Sequence, residues 1–164
     1  MTSRTAWTGG NLNAGLGWTA FFNAADLNSL ANGSSVLSSV SGITNGTSLD
    51  ELFDVSIILA ISSSTLVAGA SLALWLYPLQ SDGSTYGDGA FTAGTQAART
   101  PGKFPKVVIP LPLITTTALV GGNEDPLIMP PGTWLPVLQN NSGFTLSSSG
   151  NSGKFRSYNE NLNN

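Results

Sequence analysis

The side chains in this chain that could carry acid–base or metal chemistry are nine carboxylates: Asp26, Asp50, Glu51, Asp54, Asp82, Asp88, Glu124, Asp125 and Glu160. There is no histidine and no cysteine. That excludes a Cys/His zinc centre, a thiol nucleophile, a disulfide framework and a Ser-His-Asp relay. Carboxylates alone can hydrolyse a glycoside, but two of them must then face each other across a cleft. Asp50-Glu51 and Glu124-Asp125 sit beside turn residues, where solvated charge is the ordinary explanation. Asp82-Gly83-Ser84-Thr85-Tyr86-Gly87-Asp88-Gly89 sets two carboxylates among flexible, oxygen-bearing residues, as a calcium loop does, but lacks the EF-hand alternation and its terminal Glu. The same spacing is explained by a turn in which Asp bonds its own backbone and Gly supplies a positive φ. No catalytic, cofactor-binding or metal-binding residue is assigned, no cofactor is expected, and the chain is not read as an enzyme.

Flat aromatic faces are a second possible chemistry. Trp75, Tyr77, Tyr86 and Trp134 would suit the C–H faces of a sugar if they stood together at the surface. Aromatics within strands serve more often as core, so a carbohydrate-binding or host-recognition module is kept as the alternative function. The glycine-rich stretches show neither a GxGxxG pattern nor a P-loop, so nucleotide binding has no support.

Charged residues make up 9% of the chain, six basic against nine acidic for a net charge of −3; an ordinary soluble domain carries about 25%. The surface must therefore be covered largely by Ser, Thr, Asn, Gly and apolar atoms, which suits a protein partner. Arg4, Arg99, Lys103, Lys106, Lys154 and Arg156 are scattered and form no basic stripe, so no nucleic-acid partner is expected. The N-terminal residues form no secretory signal pattern, and the chain is expected to act where it is made. Residues 57–79 carry no charge and are long enough to cross a bilayer as a helix. They are interrupted by Ser62-Ser63-Ser64-Thr65 and Gly69, end on Pro78 and lack flanking cations, so no membrane span is expected.

Period gives a better account of that segment. Phe53, Val55, Ile57, Leu59 and Ile61 alternate along one face, and Leu72, Leu74 and Leu76 along another, so the spacing predicts two strands. Ala73, Trp75 and Tyr77 are apolar too, so the second strand is expected to be buried on both faces or to meet a partner subunit. Turn pairs at Asn32-Gly33, Asn45-Gly46, Asp82-Gly83, Asp88-Gly89, Gly121-Gly122, Pro131-Gly132 and Ser142-Gly143 divide the chain into strand-length runs. Strands are predicted near 35–41, 53–62, 70–79, 107–109, 114–120, 133–139, 144–149 and 154–158, with one helical turn over 24–30. Pro105, Pro110 and Pro112 mark 104–113 as an edge strand or an extended crossing. The fold class is all-β, a jelly-roll-like antiparallel β-sandwich of about eight strands.

Residues 1–22 are expected to form an extended N-terminal arm, and residues 23–164 a single sandwich domain. The glycine- and asparagine-rich run 8–17 cannot nucleate structure alone, yet Trp7, Trp18, Phe21 and Phe22 flank it as apolar anchors. These four are the candidate interface residues.

Residues 26–36, then 76–89, then 127–134 with 137–143, then 154–160, resemble in that order segments of small virion proteins of tailed bacteriophages. The resemblance covers about residues 24–161 and implies a capsid decoration, or cement, protein with a jelly-roll fold. Such a protein would sit on the outer surface of the phage head after synthesis in the host cytoplasm. Its partners would be the major capsid protein and itself, as a homodimer or homotrimer.

Overall fold

The computed structural model describes residues 4–9, 17–40, 42–46, 49–60, 68–86, 105–111, 118–122 and 125–163. In chain order these form β1 (Arg4–Gly9), β2 (Thr19–Phe22), α1 (Ala24–Leu27), β3 (Ser35–Leu37), β4 (Ile43–Asn45), β5 (Leu52–Ala60) and β6 (Ser71–Pro78). They continue as β7 (Val107–Pro110), β8 (Ala118–Gly122), β9 (Leu127–Ile128), β10 (Gly132–Asn141) and β11 (Ser152–Asn163). The uncharged residues 57–79 thus include the end of β5 and all of β6, and no helix among the described residues is long and apolar enough to cross a membrane.

All pairings between the strands are antiparallel and build two sheets. The first runs β1-β11-β5-β8, with β2 also on β11 and β9 also on β5; the second runs β3-β10-β6-β7, with β4 also on β10. Four ladders give the winding: β2 with β11, β3 with β10, β5 with β8, and β6 with β7. Counting those eight strands in order, first pairs with eighth, second with seventh, third with sixth and fourth with fifth. A ribbon so paired and then rolled until β11 meets β5 and β10 meets β6 is a jelly roll. The remaining short strands extend three edges, because β1 continues the line of β2, β4 that of β3, and β9 that of β8.

The core lies between the sheets. Phe53, Val55, Ile57 and Leu59 of β5 point inward with Phe155, facing Val36, Leu72, Leu74, Ile109 and Leu138 of the second sheet. The opposite phase of the second sheet is apolar as well. Leu37, Ala73, Trp75, Tyr77, Leu135 and Val137 are buried as a second cluster with Tyr86, and Leu79 packs against it. β6 is therefore buried on both faces within its own chain. Tyr86 reaches the cluster because the turn at Asp82-Gly83 brings it back into a bridge with Leu79.

Four expectations are corrected. Residues 4–9 and 19–22 form no arm standing away from the sandwich; both are strands on β11. Between Gly153 and Lys154 the register of β2 shifts, leaving Phe21 without a counterpart, and this bulge lets Phe21 and Phe22 both turn inward. Their rings meet edge to face at 5.0 Å, each is 1% exposed, and Gly153 opposite leaves room for Phe22. Residues 144–149 form no strand. The Leu146 N–H bonds Leu30 O, the Ser147 N–H bonds Ala60 O, and Ser147 O accepts from Ser29, so this backbone ties loops together while Leu146 enters the core. The helix stops at Leu27, because Asn28 is extended and Ser29 adopts a φ of 57°. Gly121-Gly122 is strand rather than turn, opposite Ile57 and Ser56, and a Cβ on Gly122 would lie 2.7 Å from Val55 O.

The prolines act as expected at β7, which is the last strand of its sheet and contains Pro110. Of the predicted 114–120 strand, 114–117 lie outside the described residues, as do Asp88-Gly89 and Ser62–Thr65.

Candidate functional site

Because the odd residues of β5 face the core, its even residues look outward, and register sets their neighbours. Asp54 lies opposite Arg156, Ser56 opposite Lys154, Ile58 opposite Ser152, and Leu52 between Tyr158 and Ile128. Arg156 donates from Nε and Nη2 to Asp54 Oδ2, both at 2.9 Å, and the Tyr158 hydroxyl donates to Asp54 Oδ1 at 2.9 Å. The Arg156 guanidinium also lies 4.9 Å from the centre of the Trp18 ring. Burial first, and then the hydrogen bond and charge of Asp54, push the Tyr158 phenol up to about 12, against a smaller opposing effect of Arg156. Around this polar cluster stand apolar side chains open to solvent: Ile128 is 70% exposed, Trp18 42% and Ile58 37%.

Exposed apolar side chains and charges thus share the outer face of the first sheet. Asp54 is held by a guanidinium and a phenol, and Tyr158 keeps its proton through the physiological range, so neither is poised as a nucleophile or base. The outer face of the second sheet is already covered by its own chain, whereas the first offers apolar side chains interleaved with a few charges.

No protein-family model matches the chain, and neither a curated protein nor a solved structure matches it. The functional reading therefore starts from the geometry and from the ordered segments described above.

Of the candidate interface residues, Trp18 is at the surface and belongs to this cluster. Phe21 and Phe22 are core residues of their own chain and are withdrawn as surface anchors. Trp7 lies on β1 in register with Glu160. The aromatic platform does not form: Trp75, Tyr77 and Tyr86 are buried together, and the Trp134 indole N–H is tied to Pro130 O and Pro131 O.

Three other carboxylate residues have local work. Asp26 Oδ2 accepts from the backbone N–H groups of Asn23 and Ser39, closing the start of α1. Buried Asp50 exchanges backbone bonds with the Asn45 side chain. Asp82 Oδ2 accepts from the Thr85 hydroxyl and Oδ1 from the Ser84 and Thr85 N–H groups, which draws its carboxyl down to about 2. Those bonds make Asp82–Thr85 a turn of the kind the Asp82-Gly83 pair predicts. No group of three or more carboxylates among the described residues is placed to hold a metal ion.

The Asp54–Arg156–Tyr158 cluster escapes sequence reasoning because its members are about a hundred positions apart. The available signal was that Asp54 and Arg156 each occupy the polar phase of an alternating run, but their pairing depends on a register no local pattern specifies.

Proposed function

We propose that this chain is a virion structural protein, a decoration protein that binds the outer surface of a tailed-phage head and bridges major capsid subunits. The observation that carries the reading is the inequality of the two outer sheet faces. One is closed by the chain itself, and the other presents Trp18, Ile58 and Ile128 beside the Asp54–Arg156 ion pair and the exposed Lys154. Such a face favours a protein partner over water without requiring strong charge. The ordered segments that resemble small phage virion proteins give that partner its identity, and a jelly roll agrees with what the resemblance implies.

A clamp needs no reactive group. Each copy bound across two capsid subunits makes their separation cost its binding free energy as well, which opposes the outward pressure of packaged DNA. Seating on a repeating lattice adds avidity without any new kind of contact. Quantitative mass spectrometry of purified virions tests the proposal: copies comparable in number to the major capsid protein are expected, and a handful per particle would overturn shell cement.

A further inference from the structure

We propose that β1 is exchanged between copies of this chain, so that Arg4–Gly9 of one molecule pairs with the end of β11 in a second. The inference rests on strand register and is independent of the capsid reading.

β11 outlasts its own sheet. β5 accompanies it from Ser152 to Tyr158 and β2 from Gly153 to Phe155, while the ladder with β1 runs from Tyr158 to Asn163. The last five residues of β11 thus form a ribbon with β1 beyond the point where β5 has left. Such a ribbon can be completed by any copy of β1 that reaches it.

The connection is longer than pairing within one molecule requires. Gly9 lies opposite Tyr158 and Thr19 opposite Phe155, so three residue steps on β11, about 10 Å, separate the two attachment points. Between Gly9 and Thr19 the sequence supplies residues 10–18, a glycine-rich and uncharged stretch. Ten steps of chain can extend to about 33–36 Å, enough to cross to a neighbour. β1 carries few of the features that usually block strand addition, its one charge being Arg4 at its first position. It contains no proline and no lysine, and no charge occurs from Thr5 to Ala25. β7, at the edge of the other sheet, does carry a proline.

The same six residue pairs form whether β1 is donated within one chain or between two, so exchange sacrifices no ladder bond. The choice then falls to the entropy of the connection and to the local concentration of copies, and closely spaced molecules favour the exchanged form.

The absence of cysteine from the chain gives a clean test. Ala6 and Asn161 are register partners, and antiparallel partners have Cα separations of about 4.5–5.5 Å, within disulfide range. Ala6→Cys with Asn161→Cys, oxidised and run without reductant, is expected to give covalent dimers or larger closed sets. A disulfide closed within the monomer would overturn exchange. Light scattering on the full chain supplies a second readout. An oligomer that becomes monomeric when residues 1–9 are deleted, with unchanged far-UV circular dichroism, supports the proposal. A full chain that is monomeric, or an oligomer that survives the deletion, overturns it. Copy number in virions would be unaffected by either result, so the two proposals fail separately.

Discussion

Asn140 illustrates how single side chains hold this charge-poor molecule together. Its Nδ2 donates to Leu30 O and Phe144 O, and its Oδ1 accepts from the Ser142 N–H, all within the interior. Asn45 and Asn151 tie other loops in the same way. Asn140→Ala removes three hydrogen bonds; Leu30 O keeps the Leu146 N–H and Phe144 O the Ser142 hydroxyl, while the buried Ser142 N–H loses its Asn140 partner, and a cost of about 1–3 kcal/mol is expected in urea unfolding. Tyr158 gives a pH signature. Its folded value of about 12 lies above the ordinary 10, so its contribution to stability is complete below pH 10 and is lost as pH rises through 12. Absorbance titration at 295 nm should show a late transition that Asp54→Asn brings back toward 10. An unmoved titration would mean that Asp54 does not hold the phenol. Asp82 has the opposite sign: its lowered value favours the folded chain above pH 3.8, and that contribution disappears as pH falls through about 2.

At the scale of strands, close approach of backbones decides what is tolerated. Gly122→Ala would drive a Cβ against Val55 O on the neighbouring strand, and β8 would have to shift. A loss of about 1–3 kcal/mol is expected, whereas Gly33→Ala meets open space and pays only for its φ of +77°, about 1–2 kcal/mol. Elements with a strong local pattern were legible in the sequence: β5 and β6 from their alternation, β7 as an edge from its prolines, and the turns at Asn32-Gly33 and Asp82-Gly83. β4 and β9, with three and two residues, are too short for any period to appear. Residues 144–149 misled because their hydrogen bonds go to distant loops rather than to a ladder. Phe21 and Phe22 misled because a bulge turns two consecutive residues to the same side, against the alternation that strand reading assumes. The exposed cluster at Asp54 depends on register, which adjacent residues do not encode.

For the molecule as a whole, a chain with one charged residue in eleven predicts weak dependence on salt. On the decoration reading proposed above, retention on phage heads should change little between about 0.1 and 1 M NaCl, where the Debye length falls from about 10 to about 3 Å. Steep release over that range would indicate an attachment governed by charge and argue against the apolar face. The pairing of β2 with β11 also has a consequence in time. Those strands lie more than 130 positions apart, and every ladder of the rolled ribbon except that of β6 with β7 and that of β5 with β8 or β9 waits for β10 or β11. At about 5–20 residues per second, a ribosome therefore carries Phe21, Phe22 and the inner face of β5 without their final covering for on the order of ten seconds. Nascent chains of this protein should be clients for chaperones until the last strand emerges. A chain stopped before Ser152 should bind such helpers persistently, while the complete one should be released to fold slowly, as distant pairings require.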